Sequence, residues 1–195
     1  MKRVCVFCGA NAGTRAEYGA AARALAEVLA RRGLGLVYGG GNIGLMGMLA
    51  DAMLHAGGEV IGVIPQQLVA RELAHRGVTR LHVVDDMHQR KAMMNELADA
   101  FVALPGGFGT LEEFFEILTW AQLGIHRKPS GLLNVSGYYD DLLAMLDHAV
   151  TEGFLLASNR NLVIANTDAD ALVLSLASLC TASRDQDAGD QGNFL

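Results

Sequence analysis

The stretch Phe101-Val102-Ala103-Leu104-Pro105-Gly106-Gly107-Phe108-Gly109-Thr110-Leu111-Glu112-Glu113 decides how this chain folds. It opens as a short, wholly apolar run, the pattern of a strand buried on both faces. Pro105 ends the run, and three glycines follow within five residues. A helical pattern then starts at Thr110 and continues to about Leu123. Strand, glycine loop and helix N-terminus together make an anion site. The glycines let backbone N–H groups approach an oxygen closely, and the helix dipole adds positive potential. The anion this implies is a phosphate.

The same stretch carries acid. Thr110-x-x-Glu113 fits a capping box, in which Glu113 only reaches back to the N-cap amide. The competing reading is functional: two adjacent carboxylates beside a phosphate are awkward unless a cation or a reaction needs them. At about 100° per residue, Phe114, Ile117, Leu118 and Ala121 share one helix face. Glu112, Glu116 and Thr119 share another. Glu113 falls on the border, where it can face a cleft while the helix stays packed.

Outward from this stretch, strands alternate with helices. Val4 to Cys8 reads as a strand, followed by the small-residue loop 9–13 and a second capping-box pattern, Thr14-x-x-Glu17, opening a helix to about Arg32. Leu34 to Tyr38, Val60 to Ile64, Arg80 to Val84, Ser130 to Val135 and Leu162 to Ala165 read as further strands. Helices are expected over Leu45 to Ala56, Met87 to Ala98, Tyr138 to Val150 and Asp168 to Leu179, with a polar connector from Gln66 to Gly77. This order specifies an α/β fold: a Rossmann-like, doubly wound parallel sheet with helices on both faces. Ligands of such folds sit beyond the carboxyl ends of the strands, where both glycine-rich loops fall. Residues 1–181 read as a single nucleotide-binding domain. Residues 182–195 are polar, lack periodicity and read as a disordered tail.

The second glycine loop contains Gly39, Gly41 and Gly44, which satisfy GxGxxG between a strand and a helix. The strand that follows ends in Pro65 with no acid for a ribose hydroxyl, and Glu59 stands at its wrong end. A dinucleotide site is therefore disfavoured. The loop reads either as a second phosphate-facing turn or as glycines that permit close helix–strand packing.

The 195 residues carry a net charge of −6, which argues against a general nucleic-acid surface. No apolar run reaches membrane-spanning length. The N-terminus enters a strand directly after Lys2-Arg3, without a signal-peptide pattern. Cys5, Cys8 and Cys180 make no disulfide framework, so a cytoplasmic setting is expected. Cys5 and Cys8 lie three apart on a strand, point to opposite faces, and lack the second pair a zinc site needs. The six histidines show no metal-binding spacing.

On the helix from Met87, the residues Met87, Arg90, Met94 and Leu97 fall within about 80° of one another. Arg90 thus sits inside an apolar stripe, and a buried guanidinium needs an anion. An internal salt bridge would supply one; so would a substrate phosphate or a carboxylate at the site. Phe115 and Trp120 point away from the main apolar face of their helix, which suggests a covering surface and a homodimer.

These residues resemble the Lonely Guy family, the cytokinin riboside 5′-monophosphate phosphoribohydrolases. The family motif PGGxGTxxE stands complete at Pro105 to Glu113, with its companion Met87-His88-Gln89-Arg90-Lys91-Ala92. Tyr38-Gly39-Gly40-Gly41, Gly44-Leu45-Met46-Gly47 and Thr119-Trp120-Ala121-Gln122-Leu123-Gly124 also match, so the likeness covers about Val4 to Phe154. The loop after Cys8 departs from the pattern: it reads Gly9-Ala10-Asn11 where the family has small hydroxyl residues. The resemblance implies hydrolysis of a nucleoside 5′-monophosphate to free base and ribose 5-phosphate, without metal or cofactor. It implies that Arg90 and Glu113 are catalytic. It further implies that Glu72, Lys91, Gly107, Phe108, Gly109, Thr110 and Thr119 line the nucleotide site with Arg90. Gly106, Leu111 and Glu112 of the same motif, and Gly40 and Gly41 of the loop after the second strand, complete the expected set.

Two rivals remain. Family members have carried the label lysine decarboxylase, but pyridoxal-phosphate chemistry needs a Schiff-base lysine. Only Lys2, Lys91 and Lys128 exist, and Arg90 would crowd the one candidate, Lys91. A non-catalytic nucleotide or molybdenum-cofactor carrier is the stronger alternative, although a carrier has no need of Arg90 and Glu113 together.

Overall fold

Seven parallel strands form one sheet in the order β4-β3-β2-β1-β5-β6-β7 in the computed structural model. The structure describes residues 1–69 and 74–190, the last eight of these by backbone alone. The strands are β1 (Arg3–Phe7), β2 (Gly35–Tyr38), β3 (Val60–Pro65), β4 (Arg80–Val84), β5 (Ala100–Ala103), β6 (Ser130–Leu133) and β7 (Val163–Asn166). The helices are α1 (Ala16–Arg31), α2 (Gly44–His55), α3 (Met87–Leu97), α4 (Phe108–Gln122), α5 (Asp140–Thr151), α6 (Ala157–Arg160) and α7 (Ala169–Asp190). The doubly wound parallel sheet expected from the alternation is thus the fold observed. The short α6 was not foreseen.

The central strands are apolar throughout because both their faces are covered. Successive side chains point to opposite sides of the sheet. Val4 and Val6 of β1, with Ala100, Val102 and Leu104, join the core under α1, α2 and α7. Cys5 and Phe7, with Phe101 and Ala103, join the core under α3 and α4. Phe101 is fully buried and its ring stacks 6.0 Å from that of Phe7. Each of the larger apolar side chains among these stabilises the fold by roughly 1.5–3 kcal/mol. The edge strand β4 departs from this pattern: Arg80 and Val83 are exposed, as suits an edge.

Neither capping box forms. Helix α1 starts at Ala16 with Arg15 at the N-cap and no side-chain cap, so Thr14 lies outside it. Helix α4 starts at Phe108 with Gly107 at the N-cap, one turn earlier than the pattern implies. Thr110 and Glu113 are therefore interior helical residues. The glycines, which let the chain turn tightly into a helix, outweigh the Thr-x-x-Glu signal. Asp86 does cap α3, accepting a 2.9 Å hydrogen bond from the Gln89 amide.

Helix α7 runs through Asp190, beyond the expected end near Leu179. The tail expectation falls on side chains 183–190 and on 191–195, which lie outside the described residues. Trp120 and Phe115 are partly buried against the α4-side core rather than stranded in solvent, so they do not by themselves require a covering partner.

Candidate active site

The sheet changes winding direction between β1 and β5. The chain steps from β1 to β2 on one side, while β5 flanks β1 on the other. Loops leaving β1 and β5 diverge there and leave a crevice at the carboxyl ends of the strands. That crevice is a cleft of about 470 Å³. Residues 9–13, residues 105–107 and the first two turns of α4 line it, together with Arg90 from α3.

The glycine loop is packed on one side and open on the other. A side chain at Gly106 would sit 2.1 Å from Thr110 Oγ1 and 2.9 Å from the Gly9 nitrogen. A side chain at Gly107 or Gly109 would meet nothing within 4 Å. No side chain caps α4, so its first amides have no intrahelical partner. Unspent N–H donors at a helix N-terminus, facing open space, suit an anionic oxygen.

Arg90 and Glu113 meet at this cleft. They are 5% and 8% exposed, and Nη2 of Arg90 lies 3.5 Å from Oε1 of Glu113. Nη1 of Arg90 lies 3.8 Å from the Met87 sulfur, and its Nε has no hydrogen-bond partner among the described residues. The guanidinium therefore keeps unspent donors. Gly39 makes room for it: a side chain there would stand 2.1 Å from Nη2. A carboxylate with a fixed cation beside it can stabilise a cationic sugar without being neutralised itself.

Burial sets the state of the nearby thiols. It pushes the Cys5 thiol well above its ordinary value, with the Glu113 carboxylate adding to the shift. Burial also pushes up Cys8, which lines the cleft. Both stay protonated and act as small apolar groups. They sit on opposite faces of the sheet, as their spacing implies.

Of the residues expected at the site, Arg90, Gly106, Gly107, Gly109, Thr110, Glu112 and Glu113 share the lining of this cleft. Others lie elsewhere. Phe108 is 94% exposed at the start of α4, and Leu111 packs on the α4-side core. Lys91 is held between Glu112 at 2.6 Å and Glu116 at 2.9 Å. Burial works against its charge, but these carboxylates outweigh burial and raise its pKa. Thr119 is exposed and its hydroxyl donates to the Phe115 carbonyl. The Gly40 carbonyl accepts from the His75 amide, and Gly41 bridges to Ala74. The loop after β2 thus ties down the connector and seats Arg90, which favours the packing reading of its glycines. Glu72 lies outside the described residues.

Tyr18 and Tyr138 line the cleft without having been singled out from sequence. Their rings meet edge-on, 5.8 Å apart. The available signal was the position of Tyr138 just after a strand, at the carboxyl edge where ligands collect. Among the described residues no lysine lines the cleft, whereas a pyridoxal-phosphate decarboxylase would need one as its Schiff-base nucleophile. Among the described residues, no group of three or more His, Cys, Asp or Glu could hold a metal ion. No helix among them is long and apolar enough to cross a membrane.

A family model described as "possible lysine decarboxylase" matches residues 46–176. The chain is 53% identical over 178 residues to the cytokinin riboside 5′-monophosphate phosphoribohydrolase of Rhodococcoides fascians, covering 91% of this chain and 90% of that one. The chain belongs to the Lonely Guy family. A plant member, phosphoribohydrolase LOG7 of Arabidopsis thaliana, is 52% identical over 176 residues, covering 90% of this chain and 81% of its own length. Among solved structures, the molybdenum cofactor binding protein of Rippkaea orientalis superimposes with a TM-score of 0.70 at 23% identity, covering 92% of this chain and 98% of that chain. That likeness shows that this Lonely Guy chain shares that protein's fold.

Proposed function

We propose that this protein hydrolyses the N-glycosidic bond of nucleoside 5′-monophosphates, cytokinin riboside 5′-monophosphate and AMP among them, to free base and ribose 5-phosphate. The observation that carries the reading is the buried Arg90–Glu113 pair, 3.5 Å apart, in the same cleft as the uncapped start of α4. In this reading the phosphate lies on the amides of residues 107–110 and the ribose over Glu113. Breaking the bond passes through an oxocarbenium-like sugar. The Glu113 carboxylate stabilises that cation and orients or deprotonates the attacking water. Water adds to the sugar carbon and gives up a proton, the carbon–nitrogen bond breaks, and the departing base keeps the bonding pair and takes up one proton, so that the water supplies both the new hydroxyl and the proton on the base. Arg90 stays protonated and cannot serve as the acid. It holds Glu113 or the phosphate and offsets negative charge on the leaving base. Grip on the phosphate fixes the ribose, so binding energy remote from the bond lowers the barrier.

The test is to incubate the protein with AMP and with N6-isopentenyl-AMP and to measure released base against Glu113→Ala. Release above that control from either substrate is expected. Binding without release would favour the nucleotide-carrier reading and end the enzymatic one.

We infer further that the working unit is a cytoplasmic homodimer paired through α3 or α4. Phe108, Lys91 and Thr119 carry family motif positions yet lie off this cleft, as residues serving a neighbouring subunit would. Leu123 and Ile125, 66% and 62% exposed at the end of α4, offer apolar surface there. Gel filtration at micromolar concentration should give twice the chain mass; a monomer profile would refute the pairing. Three free cysteines suit a reducing compartment. We treat residues 1–181 as the one functional domain, so a chain cut at 181 should keep full activity.

A further inference from the structure

The carbonyls of the glycine loop are all spoken for, and each by a different group. The Leu104 carbonyl accepts from the Tyr139 hydroxyl at 2.6 Å. The Pro105 carbonyl accepts from the Gly9 amide at 3.1 Å. The Gly106 carbonyl accepts from the Tyr138 hydroxyl at 2.6 Å. The Gly107 carbonyl accepts from the Leu111 amide at 3.1 Å, the first bond of α4. Four consecutive acceptors are thus occupied where an anion is to bind, while the first amides of the helix remain unspent. An anion meeting this loop encounters donors alone.

We propose that Tyr138 is a positioning residue whose hydroxyl keeps the Gly106 carbonyl turned away from the bound phosphate. Of the four donors it is the exposed one: Tyr138 is 42% exposed and lines the cleft, whereas Tyr139 is 1% exposed. The scaffold behind it is firm. The Tyr139 amide donates to Asn134 Oδ1 at 2.7 Å, and Asn134 Nδ2 donates to Asp140 Oδ1 at 2.7 Å. The Asn134 amide donates to the Asn166 carbonyl on β7. The Tyr138 ring is braced edge-on by Tyr139 at 5.0 Å and Tyr18 at 5.8 Å. The loop after β6 thereby presents one hydroxyl to the one loop carbonyl that neither a buried side chain nor the backbone satisfies. Freed of it, the glycine peptide can rotate. A carbonyl oxygen turned toward the phosphate would repel it and would withdraw the following amide.

The inference rests on the phosphate end of the proposed reaction but not on turnover. Tyr138→Phe removes the hydroxyl and keeps every ring contact. Calorimetric binding of AMP, ribose 5-phosphate and adenosine separates the phosphate from the rest of the ligand. Tyr138→Phe should weaken AMP and ribose 5-phosphate about tenfold, the usual scale of one lost hydrogen bond, and leave adenosine within about twofold. Tyr138→Leu should weaken the two phosphorylated ligands to the same extent. If the ring instead stacked on the base, Leu alone would weaken binding and adenosine would suffer equally. Tyr138→Phe that binds AMP like wild type, or that weakens adenosine as much as AMP, overturns the proposal. Thermal melting accompanies each variant, and an unchanged transition for Phe makes the comparison one between folded proteins. Should that transition fall, Tyr139→Phe, which disturbs the same scaffold from within, must not reproduce the selective loss. A wild type that binds AMP without releasing base would sink the hydrolase reading and leave this one standing. A wild type blind to all phosphorylated ligands would sink both.

Discussion

Gly39→Ala tests the seat of the arginine directly. Gly39 directly follows β2 and has a backbone outside the left-handed region, so alanine carries no conformational strain there. The added carbon would stand 2.1 Å from Arg90 Nη2, 3.3 Å from its Cζ and 3.1 Å from the Met46 sulfur. Relief to an ordinary contact of 3.4 Å demands about 1.3 Å of movement by the guanidinium. Directed along the ion pair, that stretches 3.5 Å to about 4.8 Å, beyond salt-bridge range. At an effective dielectric constant of about 20, the attraction weakens by about 1 kcal/mol. If the pair acts as proposed, misplacement of this size costs up to about a hundredfold in rate. We therefore expect kcat/KM for base release from AMP to fall between about tenfold and a hundredfold. Overpacking costs about 1–3 kcal/mol, so the thermal midpoint should fall by several degrees while the protein stays folded at 25 °C. The assay is base release by chromatography, with melting in parallel. Activity within twofold of wild type would show that Arg90 is not held by the absence of a side chain at Gly39, and the steric argument would fail.

Glu113→Gln should lower kcat by about three orders of magnitude with KM little changed, read in steady-state kinetics. It also removes the counter-charge that Arg90 has among the described residues, so melting should report a loss of about 3 kcal/mol or more. Gly109→Ala meets nothing within 4 Å and improves helix propensity, so its midpoint should hold or rise. Its methyl group would project where the phosphate is placed, so KM for AMP should rise several-fold. Arg3 hydrogen-bonds Glu59 at 2.8 Å and holds its carboxyl below the usual carboxylate range. A lowered folded-state pKa stabilises above the unfolded value and is lost as pH falls through the folded one. The melting gap between wild type and Glu59→Gln should therefore be present at pH 7 and close below about pH 4. The pair is partly exposed, so that gap should stay under about 1 kcal/mol.

The fold was legible because its signals were local and repeated. Seven strand-like runs, most of them wholly apolar, with helical stretches between them leave few arrangements other than a doubly wound sheet. The inward placement of Arg90 was legible too, because helical periodicity alone put it in line with Met94. The start of α4 was misread because Thr-x-x-Glu is a local pattern, whereas the actual start is set by how Gly106 packs against Thr110 and Gly9. The positions of Lys91 and Thr119 away from the cleft were not legible. Sequence motifs record which residues matter together, not which face of a helix each one takes. Tyr138 escaped for a related reason: its partner, the Gly106 carbonyl, is backbone and leaves no mark in residue spacing.

The likeness to a molybdenum cofactor binding protein sharpens the question of what the fold decides. A parallel sheet that switches winding direction between β1 and β5 supplies the crevice, and a helix beginning at a glycine turn supplies amides for an anion. A carrier and a hydrolase can both use these features, and neither chemistry follows from them. A carrier that must release its cargo intact gains nothing from a buried carboxylate, which costs desolvation and repels a phosphorylated ligand. Glu113 incurs that cost: it is 8% exposed, with Arg90 3.5 Å away. The expenditure makes physical sense where positive charge must appear next to it, as it does on a sugar losing its base. In the proposed reading this pair of side chains separates the two functions, and the decisive comparison is between wild type and Glu113→Gln in base release, with AMP binding measured on both.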